Sequence, residues 1–122
     1  MVIFDTNAIL RYILQDNQAM AESVEEQLSS EVCLIPVEVV AEIVYVLSKV
    51  YSVERKIIAK VIMNISDIDT ITIAQMDVVR YALKIYSSSS LDIVDCMLIG
   101  YAKVKQYTVF SFDRKLQKYL KE

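Results

Sequence analysis

Four short apolar runs rich in β-forming residues divide this chain of 122 residues, and segments with helical spacing separate them. The runs cover residues 2–4, 32–35, 70–73 and 107–112. Strands separated by one or two helices usually lie parallel in a central sheet, with the helices packed on its faces. The pattern therefore predicts an α/β fold, a three-layer sandwich with a mainly parallel central sheet of about four or five strands flanked by helices.

Apolar residues at helical spacing predict seven helices between and after these runs. The expected helices cover residues 8–14, 18–28, 36–50, a stretch after residue 52, 74–86, 91–105 and 113 to the end. Ser52 and Ser90 are expected to cap the helices that follow them, and either Asp16 or Asn17 to cap the second helix. Asp113 begins the terminal helix in this reading.

Length and composition favour a single domain over residues 1–122. Hydrophobic residues make up 55% of the chain, which is enough for one core. The mean hydropathy of +0.37 is high, but no window reaches the roughly 18 apolar residues that a membrane-spanning helix needs. Asp5 interrupts the first apolar run, and no basic segment precedes it, so a signal peptide is not indicated. We expect a cytoplasmic protein.

Several kinds of site are excluded by residues that the chain lacks. It has no histidine, which removes histidine general bases, catalytic triads and histidine-ligated metals. Gly100 is its single glycine, so phosphate-binding glycine-rich loops are excluded. Cys33 and Cys96 lie in apolar runs without ligand spacing, and we expect buried, reduced thiols. Any chemistry must come from carboxylates, hydroxyls, Lys or Arg.

The charge distribution leaves the question of a nucleic-acid partner open. The net charge is −3 and the isoelectric point about 5.0, which argues weakly against such a partner. From residue 103 to the end, however, six basic residues stand against two acids, and a second basic group covers residues 49–60. These groups could hold phosphates or could simply be solvated helix faces.

Four carboxylates occupy unusually apolar stretches. Asp5 and Asp113 directly follow the first and last apolar runs, while Glu42 and Asp95 interrupt apolar helical segments. An ionised carboxylate in such surroundings loses several kcal/mol of hydration unless it is paired, neutralised or bound to a metal. Arg11 is the one nearby cation, and one cation cannot compensate four acids. A site built only from carboxylates favours Mg²⁺ or Mn²⁺.

These acids differ in how well an ordinary structural role explains them. Asp113 could serve as a helix N-cap. Asp92 lies in a first helical turn, where its charge is favourable, and shares a helix face with Asp95, so it could also border the site. Asp5 and Asp95 are the hardest to explain without a bound cation.

Four sequence pieces, in order, resemble the PIN-domain family and within it the small VapC-type toxins. The first is the opening Asp5-Thr6-Asn7 after an apolar run, and the second is Glu42 in the predicted third helix. The third is Asp95-Cys96, where the family has Asp-Ala. The fourth is Ser111-Phe112-Asp113, which resembles the terminal Thr/Ser-apolar-Asp motif. The resemblance covers nearly the whole chain.

The resemblance implies an endoribonuclease that depends on Mg²⁺ or Mn²⁺. Asp5, Glu42 and Asp95 would be the principal metal-shell acids, Asp113 would complete the cluster, and Asp92 would be an accessory. It further implies an RNA substrate, a homodimer and a cognate antitoxin protein that inhibits the toxin at its acidic site.

Two other interpretations remain open at the level of sequence. A Mg²⁺-dependent phosphohydrolase would also place an Asp after its first strand, although one such class needs a second Asp where this chain has Asn7. A catalytically silent PIN-like module for RNA binding or assembly would keep the same acids without using them.

Overall fold

The computed structural model describes all of residues 1–122 and contains three strands and seven helices. In chain order these are β1 (Val2–Ile3), α1 (Thr6–Leu14), α2 (Gln18–Ser30), β2 (Cys33–Ile35), α3 (Val37–Lys49), α4 (Arg55–Ser66), β3 (Ile71–Ile73), α5 (Met76–Ser88), α6 (Ile93–Val104) and α7 (Arg114–Lys121). Contacts divide the chain into two compact units, Met1–Ala74 and Gln75–Glu122, called here the amino-terminal and carboxyl-terminal units.

The sheet lies entirely in the amino-terminal unit and has the order β1-β2-β3, with both pairs parallel. Val2 is opposite Cys33, and Cys33 is opposite Ile71, so the three strands are in register. The prediction of an α/β fold with a parallel sheet is confirmed. Because the strands are parallel, their carboxyl ends share one edge of the sheet, and Asp5 follows β1 at that edge.

The predicted fourth strand, residues 107–112, is wrong, and the sheet has three strands in place of the expected four or five. This segment belongs to the carboxyl-terminal unit and is not paired with any strand. Phe110 and Phe112 are 85% and 86% exposed. High β-propensity describes side chains that suit a half-buried pleated surface, and it does not by itself provide a partner strand.

Helices α1, α3 and α4 bury one apolar side each in the amino-terminal unit. In α3 the buried residues are Val40, Ile43, Val44 and Leu47, the i, i+3, i+4, i+7 spacing of a core-facing helix. Cys33 of the central strand is also buried, and this burial raises the pKa of its thiol to about 11. The expectation of buried, reduced thiols is confirmed for both cysteines.

The carboxyl-terminal unit is helical, and its two longer helices pack closely. A side-chain carbon at Gly100 of α6 would lie 2.9 Å from the carbonyl oxygen of Val78 in α5. Real side chains do not approach a backbone atom so closely, so the single glycine is needed where these two helices meet. None of the seven helices has both the length and the apolar character required to span a membrane.

Two of the expected helix caps are present and two are absent. Asn17 accepts from the Met20 amide and Asp113 from the Leu116 amide, as predicted. Ser52 does not cap α4, because this helix begins at Arg55 and Glu54 occupies its N-cap position. Ser90 does not cap α6 either, because that helix begins at Ile93 and Asp92 occupies its N-cap position.

Candidate functional site

Asp5 links the end of β1 to the start of α1. Its Oδ1 accepts a hydrogen bond from the Ala8 amide at 2.9 Å, so the carboxylate caps the helix. The side chain is exposed, contrary to the burial that its apolar neighbours suggested. One oxygen is thus engaged by the helix N-terminus, and the other is available to a ligand at the carboxyl edge of the sheet.

Glu42 is also exposed, because it lies on the side of α3 opposite the buried Val40 and Val44. Its apolar sequence neighbours point into the core, while its own position on the 3.6-residue turn faces away from it. No hydrogen bond or ion pair engages its carboxylate. The expected desolvation of Glu42 is therefore absent, and the side chain is free to bind a cation.

Asp95 is half-buried in the first turn of α6, and it is the acid whose surroundings fit the sequence-based expectation best. Burial raises the pKa of its carboxyl, and the nearby charges of Asp113 and Asp92 raise it further. No donor or cation compensates its charge. Asp92, Asp95 and Asp113 thus form an electrostatically coupled group within the carboxyl-terminal unit, called here the Asp95 cluster.

Asp113 is positioned by a short network around the start of α7. Its Oδ1 accepts from the Leu116 amide at 2.9 Å, and its own amide donates to Ser111 Oγ at 3.0 Å. Gln117 Nε2 in turn donates to the Ser111 carbonyl at 2.6 Å. The capping role anticipated for Asp113 is confirmed, and the charge that it places near Asp95 shows that capping is not its only effect.

Two cations, Arg11 and Lys105, are engaged with acids outside the candidate set. Arg11, the one cation near these apolar runs, donates to both carboxylate oxygens of Asp16 at 2.9 and 2.7 Å and to the Tyr51 hydroxyl at 3.5 Å. Lys105 pairs with Asp77 at 2.8 Å, which lowers the pKa of that carboxyl. No ion pair involves any of the acids singled out by the sequence.

The donor chemistry of these acids suits a hard divalent cation, because carboxylate oxygens are the ligands that Mg²⁺ and Mn²⁺ prefer. The uncompensated charge of the Asp95 cluster is what a cation would neutralise. Within neither unit, however, do three or more acids or thiols already converge closely enough to hold a metal. Asp5 and Glu42 lie in the amino-terminal unit, and the Asp95 cluster lies in the carboxyl-terminal unit.

One surface was missed by the sequence interpretation, which treated residues 107–112 as a strand in the sheet. The exposed rings of Phe110 and Phe112 directly precede Asp113. Their alternation with the half-buried Val109 and Ser111 has the period of a strand, so the pattern alone does not indicate that both rings face solvent.

Comparisons with known proteins agree with the motif order. The family model described as the PIN domain matches residues 2–121. The chain is also similar to a VapC ribonuclease of Aquifex aeolicus (strain VF5), with 31% identity over 126 aligned residues that cover 97% of this chain and 91% of the relative. No solved structure gives a significant match.

Proposed function

The chain belongs to the PIN-domain family, and from this premise we propose that it is a divalent-metal-dependent endoribonuclease that hydrolyses phosphodiester bonds of RNA. The observation that carries the proposal is the Asp95 cluster, in which burial and two neighbouring acids raise the pKa of Asp95 without any compensating cation. Such a perturbed group is typical of a functional site. The similar VapC ribonuclease supports RNA as the substrate.

We assign the metal-binding role to Asp5, Glu42, Asp95 and Asp113, with Asp92 as an accessory acid. When bound, Mg²⁺ or Mn²⁺ would supply positive charge to the phosphodiester and would activate water for its hydrolysis. Asp5 and Asp113 would present one carboxylate oxygen each while the other caps a helix. Glu42 would contribute an unengaged carboxylate from α3, and Asp95 would contribute the most strongly desolvated one.

We further propose that the protein is the toxin of a toxin–antitoxin pair, because its relative is a VapC ribonuclease. In this role it would act in the cytoplasm as a homodimer on cellular RNA, and a cognate antitoxin protein would inhibit it. Coexpression with the protein encoded next to its gene, followed by size-exclusion chromatography, tests this part. A monomer that binds no such neighbour would contradict it.

Cleavage of RNA by the purified protein tests the enzymatic proposal. Wild-type protein is incubated with structured and unstructured RNA in Mg²⁺, in Mn²⁺ and in EDTA, beside Asp5→Asn and Asp95→Asn. Asp77→Asn is the matched control, because it removes an Asp charge from the same unit as Asp95 but from a carboxylate already paired with Lys105.

We expect the wild type to cleave RNA in Mg²⁺ or Mn²⁺ and EDTA to abolish this cleavage. Asp5→Asn and Asp95→Asn should lose the activity, and Asp77→Asn should retain it. The proposal would be contradicted if cleavage persisted in EDTA or if Asp5→Asn cleaved RNA as fast as the wild type. Growth inhibition by an expressed Asp95→Asn variant would favour a catalytically silent module, and phosphate release from small phosphoesters without RNA cleavage would favour a phosphohydrolase.

A further inference from the structure

The segment of residues 107–112 exposes two aromatic rings on one side of an extended backbone. Phe110 and Phe112 are 85% and 86% exposed, whereas the intervening Ser111 and the preceding Val109 are half-buried. Residues two apart in an extended chain point to the same side. Both rings therefore face solvent together, while Ser111 between them accepts hydrogen bonds from the Asp113 amide and, at its carbonyl, from Gln117 Nε2.

The two rings form a pair with open faces. Their centroids are 5.3 Å apart and their planes are inclined by 82°, an edge-to-face arrangement. Such a pair leaves ring faces uncovered, and the high exposure of both side chains shows that nothing else in the structure covers them. At the start of the segment, Tyr107 stacks on Tyr101 of α6 with an interplanar angle of 9°.

Positive charge follows these rings after the intervening acid Asp113. Helix α7 begins one residue after Asp113, and its exposed cations include Arg114 and Lys118, neither of which is paired with a carboxylate. On the other side, Lys105 is already neutralised by Asp77. A single-stranded nucleic acid would match this surface, because its unstacked bases can stack on the aromatic faces and its phosphates can pair with the free cations. An apolar protein partner would leave those cations without partners.

We propose, on the premise that the chain is a ribonuclease, that Phe110 and Phe112 form a stacking platform for unpaired bases of single-stranded RNA. The cations of α7 hold the phosphates of the stacked strand. Because Phe112 directly precedes Asp113, a base on this ring brings the strand next to an acid assigned to the metal site. The platform therefore favours cleavage in single-stranded segments over duplexes.

Binding is measured in EDTA, so that no cleavage interferes, by the fluorescence anisotropy of a labelled, unstructured single-stranded RNA of about 12 nucleotides. The variants are Phe110→Ala/Phe112→Ala and Phe110→Leu/Phe112→Leu, with Ile57→Ala as a matched exposed apolar control in α4. Loss of one stacked base weakens binding by about 5- to 150-fold. We expect both double variants to bind at least about 10-fold more weakly, the control to bind normally and all three to keep the wild-type melting temperature.

Three results would overturn the platform. The double Ala variant could bind the RNA as tightly as the wild type, or the wild type could show no measurable binding. Binding restored by the Leu pair would show apolar docking, as expected for a protein partner. A melting temperature well below the wild type would show that the rings are buried in the folded protein.

A parallel cleavage assay in Mg²⁺ separates this inference from the proposed function. Wild-type cleavage with unchanged binding by the Ala pair overturns the platform alone. Ring-dependent binding without any cleavage supports the platform and contradicts the ribonuclease. Absence of both binding and cleavage in the wild type contradicts both.

Discussion

In the amino-terminal unit Asp5 accepts a backbone amide from the helix that it begins, whereas in the carboxyl-terminal unit Asp95 lies inside a first helical turn and accepts none. Asp5 is exposed, but Asp95 is half-buried and feels the charges of Asp92 and Asp113. Asp5 therefore stabilises the helix that it begins, whereas the charge of Asp95 has no compensating partner. A bound cation would therefore neutralise more uncompensated negative charge at Asp95 than at Asp5.

The largest effect is expected on the rate of RNA cleavage, and it should differ between two acids on one helix of the amino-terminal unit. Glu42→Gln should lower RNA cleavage by more than about 100-fold, because even residues that only support metal ligands typically contribute 10- to 100-fold. Glu38→Gln, one turn earlier on α3 and equally exposed, should stay close to wild-type activity. Initial cleavage rates in Mg²⁺ are measured for both variants. Equal decreases in rate would mean that the negative charge of α3, and not metal ligation by Glu42, supports cleavage.

Metal binding should stabilise the folded protein through the Asp95 cluster. Mg²⁺ or Mn²⁺ at about 100 times its dissociation constant stabilises by about 2.7 kcal/mol if it binds only the folded state. We expect the melting temperature to rise with metal for wild type and for Asp77→Asn, but not for Asp95→Asn. A full rise in Asp95→Asn would place the cation elsewhere.

Without metal, removal of the two carboxylates should lower stability by different amounts. Asp5→Ala loses the bond to the Ala8 amide and should lower the free energy of unfolding by about 1 kcal/mol, the usual loss for an N-cap. Asp95→Ala removes an uncompensated charge and should lower it by less. Urea unfolding in EDTA compares them, and a greater loss for Asp95→Ala would contradict the difference between the units.

The smallest effect should be a dependence of metal-free stability on pH. Since the pKa of Asp95 is raised in the folded state, its contribution to stability is fully present below 3.8, the ordinary pKa of an Asp carboxyl, and is lost as the pH rises through the folded pKa. Asp95→Asn should therefore be more stable than wild type at pH 7, by no more than about 1 kcal/mol, and the two should converge toward pH 4. Urea midpoints across this range test the sign, and a difference that grows as the pH falls would refute it.

Much of the fold could be predicted from the sequence because local patterns were consistent with one another. The apolar runs of residues 2–4, 32–35 and 70–73 contain the three strands, and α3 has the expected core spacing. The 107–112 run could not be placed, because pairing depends on a partner strand rather than on propensity. Helix α4 begins at Arg55, later than expected, because Ser52 marks a helix start by residue type alone, and the N-cap position is taken by Glu54.

The candidate site was predictable in residue type but not in environment. Apolar neighbours suggested buried charges at four positions, yet Asp5, Glu42 and Asp113 are exposed and Asp95 alone is half-buried. Neighbours in sequence do not determine which side of a helix a residue occupies, as Glu42 opposite Val40 and Val44 illustrates. The coupling of Asp95 to Asp113 joins residues far apart in the chain and required the structure.

Calorimetric titration of Mn²⁺ tests most directly the proposal that Asp95 binds a divalent cation. Metal-free wild type, Asp95→Asn and the matched control Asp77→Asn are titrated under identical conditions. We expect wild type and Asp77→Asn to bind with the same affinity and Asp95→Asn to lose the tight site, because its uncompensated carboxylate is gone, whereas Asp77 is already paired with Lys105. Wild-type affinity retained by Asp95→Asn would contradict the proposal.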